Sequence, residues 1–322
     1  MRFLSQFHHD PTHGHRTQVA GIDPGYWRRG AGVLGPVHYQ QPSIRQWWGR
    51  LWVALCLLAL GLVLAPLLGL VFFVAMRGGQ RLNGALLTQL PPAAGMAGGG
   101  LGNAVVGTLV MVGLATAIAT PIGIGAAVFS QELGPPDRPL ARLVRLATGM
   151  LSGVPSIVVG AFGYATVVLT TARFTGGRYA FSAIAGSLAL AVMMVPIVAQ
   201  TTESRLRLLP QAWREGAIAL GATPQQTLLR VILPAGAPAI ATGVLLAMAR
   251  AAGETAPLIF TALGLDFWLR DLRRPAPALS ISIWRLATGI DANQQELAWA
   301  GALLLLLLVF TAALLARLTT RR

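Results

Sequence analysis

The stretch "LPQAWREGAIALGATPQQTLLRVILPAG", residues 209–236, lies between two long apolar segments and decides how the rest of the chain is read. Pro210 suits a first helical position, and "QAWREGAIAL" continues in helix-compatible residues. Gly221 supplies the left-handed position at which a helix ends. Thr223, Pro224 and Gln226 then give an S/T-x-x-E/Q capping box with proline at its first helical position. A second helix is expected through "QQTLLRVIL", until Pro234 leads into the next apolar segment. Two short helices stopped sharply by a turn make a rigid body suited to docking a partner. A DNA-reading helix-turn-helix has a similar outline. A unit held against the bilayer on both sides is badly placed to enter a groove, so no nucleic-acid partner is expected.

The bilayer itself follows from composition. The chain has 322 residues, 54% hydrophobic and only 11% charged, where a soluble domain has roughly 25% charged residues. The formal net charge is +14. All the strongly basic residues are arginine, because the chain contains no lysine. That excludes a P-loop, whose lysine reaches the phosphates, so an ATP-driven activity must borrow a partner's ATPase and no cofactor is expected on this chain. The single cysteine, Cys56, excludes internal disulfides. No cleavable signal peptide is expected, since the first strongly apolar run is too long for one.

Six apolar segments, about 51–76, 104–130, 146–170, 181–201, 237–263 and 297–316, each approach or exceed the roughly 20 residues a spanning helix needs. The expected fold class is all-α, a polytopic membrane protein with six transmembrane helices. Residues 1–50 read as a poorly ordered tail. Its His8, His9, His13 and His15 could touch a metal, but nothing fixes their geometry, so no metal site is expected. "RQWWGRLW" at 45–52 suits the headgroup boundary. With the N-terminus inside, the cytoplasmic segments carry twice as many arginines as the opposite side, which places both termini and the 202–236 loop in the cytoplasm.

Only the fifth segment holds ionisable acid or base groups, Arg250 near its midpoint and Glu254 one turn on. A charge at the centre of a membrane helix costs roughly 2.5–3.5 kcal/mol on insertion scales. An ion pair placed there only to let two charges coexist would favour acid before base, and here the base comes first. Arginine stays protonated and offers a planar fork to an oxyanion. The pair therefore reads as a substrate path, with Glu254 balancing Arg250 when the path is empty.

Residues 215–234, "EGAIALGATPQQTLLRVILP", resemble the EAA motif of ABC-importer permeases, E-A-A-x3-G-x9-I-x-L-P. Glu215, Ala217, Gly221, Leu233 and Pro234 match at the family spacing, while Gly216 and Val231 are mild departures. "GVPSIVVGAFGY" at 153–164 and "ARAAGETAPLIFTALG" at 249–264 are similar to the phosphate-specific permeases of that family, with likeness over about residues 98–318. The resemblance implies the type I ABC importer permease fold in a bacterial cytoplasmic (inner) membrane. It also implies that the 209–236 loop couples to the ATPase and that Arg250 and Glu254 meet phosphate. The partners it implies are a homologous second permease, two ATPase subunits that hydrolyse ATP, and an extracytoplasmic phosphate-binding protein. A permease for sulfate or molybdate, a stand-alone secondary carrier and a signalling scaffold are the alternatives.

Overall fold

The computed structural model of the chain describes residues 44–133 and 139–320, and the His-rich segment lies outside them. No strand occurs among the described residues; the chain folds as helices. The described residues from 66 onward form one compact unit, and the helical residues 44–65 belong to another. In chain order the helices are α1 (Ile44–Gly79), α2 (Gly84–Thr88), α3 (Gly102–Val128), α4 (Pro139–Ser152), α5 (Ser156–Thr175), α6 (Ala183–Leu208), α7 (Gln211–Ala219), α8 (Pro224–Ala252), α9 (Ala256–Thr261), α10 (Leu279–Ala287) and α11 (Ala292–Thr320). Six of them, α1, α3, α5, α6, α8 and α11, are long and apolar enough to span a membrane. Helix α1 starts at Ile44, inside the segment expected to be a tail.

Helix α6 is the centre of the larger unit and the most deeply buried of the six long apolar helices. Leu190, Met194 and Val198 of α6 meet Met111, Ala115 and Ala119 of α3, Ala247 and Ala251 of α8, and Leu258 of α9 in one apolar cluster. Small residues set the helix spacing. A Cβ on Gly243 of α8 would lie 2.2 Å from Thr201 Oγ1 of α6, and one on Gly123 of α3 would lie 2.8 Å from Val198 Cβ. Such close approach lets dispersion contacts bind helices where no hydrophobic effect operates. A second cluster joins Leu86 of α2, Ala104 of α3, Leu279 of α10 and Leu297 of α11, with Leu101 just before α3. A third, of Val128, Leu206, Leu228 and Ile232, packs residues 209–236 against the ends of α3 and α6.

Three segment boundaries differ from the expected ones. The third segment breaks at residues 153–155, because Pro155 lacks a donor and biases its predecessor away from the helix. Its first part belongs to α4, whose Arg142 and Arg145 alternate with exposed Leu140, Leu143 and Leu146, a pattern that suits a membrane surface. Pro234 does not end a helix. A π-helical turn at Leu228–Ile232 precedes it, with Leu233 N donating to Leu228 O, and the wider turn lets α8 run on through Pro234; the helix also continues through Pro238. The fifth segment instead stops at Ala252, with Gly253 as its cap, and resumes at Ala256 with Pro257 in the first turn.

Candidate functional site

The interruption between α8 and α9 carries the intramembrane charges. Arg250 therefore occupies the last turn of a helix, not the midpoint of one. Glu254 lies in the break itself, where its N–H donates to Ala251 O at 3.2 Å. Ser280 of α10 donates from Oγ to the Glu254 carbonyl at 2.8 Å, and Leu279 N donates to the buried Thr108 Oγ1 of α3 at 2.8 Å. The Glu254 carbonyl in the break is thus satisfied from a neighbouring helix, as non-helical backbone at membrane depth requires. Its level is set by α6: Met193, Met194 and Ile197, at the middle of that helix, line a narrow cleft with Arg250, Ala251 and Glu254.

Arg250 Nε lies 3.6 Å from Glu254 Oε1, close enough for attraction and too long for a hydrogen bond. The two side chains differ in exposure, 60% for Arg250 and 18% for Glu254. The cleft holds only about 10 Å³, no more than one water. This cleft is too small to seat an anion, while most of the Arg250 side chain is exposed. Along α6 toward its C-terminal end, Gln200, Thr201, Ser204 and Arg205 line an open groove of about 400 Å³. At the opposite end of the bundle, a hollow of about 390 Å³ has Trp268, Arg270 and Arg274 in its wall. The larger hollows therefore lie away from the Arg250–Glu254 cleft.

The 209–236 segment forms the turn its sequence predicts. Gly221 has φ +86°, the left-handed conformation that favours glycine. Thr223 Oγ1 accepts from Gln226 N at 3.3 Å, and Gln226 Oε1 accepts from Thr223 N at 2.9 Å, so the capping box is complete. Glu215 and Ala217 lie on α7, while Leu233 and Pro234 lie inside α8. Helix α7 buries none of its residues, and Trp213, Ile218 and Leu220 stand exposed on it or just after it, Leu220 at 91%. Large apolar side chains thus stand unburied on a short helix tied to two spans.

Sequence reasoning missed the polar ties beneath this loop. Arg214 of α7 donates from Nε to Glu132 Oε2 at 3.1 Å, and its Nη2 donates to Glu132 Oε1. The same guanidinium donates to the carbonyls of Leu206 at 3.1 Å and Leu209 at 3.2 Å, at the end of α6. The hydrogen bond to Glu132 holds the Arg214 proton above the ordinary guanidinium range, against the opposing effect of burial. A raised pKa contributes stability fully below the unfolded value and loses it only above, so this arginine stays charged at every physiological pH. Beside it, Glu203 accepts from Gln131 and from Arg207, both at 2.8 Å. The one local hint was that Arg214 directly precedes the motif's Glu215.

Comparison with known proteins bears on both places. A family model described as "Binding-protein-dependent transport system inner membrane component" matches residues 119–322, which include the loop and the charged break. The chain belongs to this family. It is a multi-pass inner membrane component of an ABC transporter, a complex with further subunits, and its fold is that of type I ABC importer permeases. The phosphate transport system permease protein PstA of Yersinia pestis is 42% identical over 251 residues, covering 78% of this chain and 82% of that protein. The protein of the same description from Haemophilus influenzae is 36% identical over 280 residues, covering 86% and 96%. In fold the chain resembles a bacterial alginate ABC transporter solved with its alginate-bound periplasmic protein. The TM-score is 0.60 at 16% identity, over 87% of this chain and 96% of that one.

Proposed function

We propose that this chain is the membrane permease subunit of an ATP-driven importer for inorganic phosphate, acting as its PstA relatives are described. The observation that carries the reading is the 60% exposure of Arg250 at a helix break level with the middle of α6. A guanidinium facing lipid at that depth is costly, so such residues face a bundle interior or a watered cavity. The open side of Arg250 therefore borders the path, whose other wall comes from a homologous second permease. Phosphate loses part of its hydration in transit, and the arginine fork replaces it with charge-assisted hydrogen bonds. Glu254 draws the guanidinium back between cycles, so that the anion is released as well as held.

The remaining parts follow from this assignment. An extracytoplasmic phosphate-binding protein delivers the anion. Of the two ATPase subunits, one docks on α7 and the Gly221 turn of this chain, with Glu215 and Ala217 on the docking helix and Leu233 and Pro234 leading the motion into α8. Without a lysine for a P-loop, this chain leaves ATP to those subunits. Both termini and the 202–236 loop face the cytoplasm, in keeping with the arginine distribution. The test is reconstitution with all partners in proteoliposomes. Phosphate-loaded binding protein should stimulate ATP hydrolysis and drive uptake that excess sulfate or molybdate does not inhibit. Equal stimulation by sulfate would move the substrate assignment, and uptake independent of ATP would remove the importer assignment.

A further inference from the structure

A docking helix can drive transport only if its displacement reaches the spans, and α7 is poorly equipped to do so by packing. It buries none of its residues. Among the described residues, the side-chain hydrogen bonds that leave α7 are made by Arg214. These bonds run in two directions. Through Nε and Nη2 the guanidinium holds Glu132, which sits in the π-helical turn Phe129–Leu133 at the end of the α3 span. Through Nη1 and Nη2 it holds the carbonyls of Leu209 and Leu206, where α6 runs out. Both side chains are largely enclosed, 19% exposed for Arg214 and 13% for Glu132, so solvent and salt screen the contact less than an exposed pair.

We propose that Arg214 is the positioning residue through which movement of α7 reaches the α3 and α6 spans, with Glu132 as its required partner. The proposal rests on the permease reading above and adds the element that carries force from the docking surface. A planar fork suits the task because its donors are fixed relative to one another, so that Glu132 and the end of α6 must move together with α7. A lysine offers a mobile point charge and cannot keep both directions rigid. The ends of α3 and α6 are also tied without α7. Gln131, Glu203 and Arg207 form one link, and Val128 and Leu206 belong to the apolar cluster beside it. Loss of the Arg214–Glu132 contact should therefore leave the bundle assembled and free the docking helix from the α3 span, to which no other side-chain bond of α7 runs among the described residues.

The experiment compares wild type, Glu132→Gln and Arg214→Lys in the complete reconstituted complex, measuring phosphate taken up per ATP hydrolysed with phosphate-loaded binding protein present. The expected result is assembled complex that still binds and runs its ATPase subunits. Uptake per ATP should fall by about 5- to 150-fold, the span of a typical coupling free energy. A merely structural pair would reduce the amount of complex, and hydrolysis with uptake in proportion, leaving the ratio at the wild-type value. An unchanged ratio in both variants, or failure of both to assemble, overturns the proposal. If wild type itself shows no stimulated hydrolysis, it is the importer reading that falls.

Discussion

Gly221 gives a perturbation whose size can be worked out with little interference from packing. Its φ is +86°, and a Cβ built there meets nothing within 4 Å. Within this chain, the effect of a side chain is therefore backbone strain, and the larger asparagine separates strain from a clash with the docked subunit. An L-residue in the left-handed region costs roughly 1–2 kcal/mol, more for a β-branched one, while asparagine tolerates it. The loop relieves the strain by leaving the turn, and docking must then restore it, so the strain appears as lost affinity for the ATPase subunit. At about 1.4 kcal/mol per decade, Gly221→Ala should weaken docking by roughly fivefold and Gly221→Val by roughly thirtyfold. Gly221→Asn should stay near wild type. The assay is capture of the purified ATPase subunit by the permease pair in nanodiscs, titrated to a Kd. Equal affinities for the alanine, valine and asparagine variants would show that docking does not use this turn.

Three further outcomes are expected. Gly243→Val forces α6 and α8 apart at Thr201, and overpacking of this kind costs roughly 1–3 kcal/mol; the thermal midpoint in detergent should drop, and an unchanged midpoint would contradict the close α6–α8 contact. In a Cys56→Ser background, Gln80→Cys should react with an impermeant thiol reagent from outside intact cells and Gln225→Cys should not; the reverse pattern would invert the topology. Arg250→Lys keeps the charge without the planar fork, so uptake should be partial at most, and full activity would remove the fork from the mechanism.

What could be read from the sequence was what is encoded locally. The capping box at Thr223 and Gln226 involves residues three apart, and the Gly221 turn needs one glycine in one conformation, so both were visible before any fold was known. The six spans were visible because hydropathy over some twenty residues registers membrane length. Hydropathy cannot register a break inside an apolar run. The Pro155 and Gly253 interruptions were therefore averaged away, although both carried glycine and proline signals. Pro234 erred the other way: a helix terminator by local rule, it was absorbed by the π-helical turn before it. The Arg214–Glu132 pair joins residues 82 apart and left no periodic trace, so only the fold could bring it together.

The central claim is that Arg250 meets the transported anion rather than merely stabilising a membrane helix. Removing the arginine alone leaves Glu254 without its partner in a largely enclosed site, so a single substitution confounds stability with function. The decisive measurement is phosphate uptake by the Arg250→Gln, Glu254→Gln double variant, alongside its content of assembled complex. With both charges gone, the desolvation cost disappears and the complex should assemble at wild-type level or better. If Arg250 binds phosphate in the path, that complex will not transport, whatever its stability. Substantial phosphate uptake by the double variant would leave the pair as a structural bridge and contradict the account.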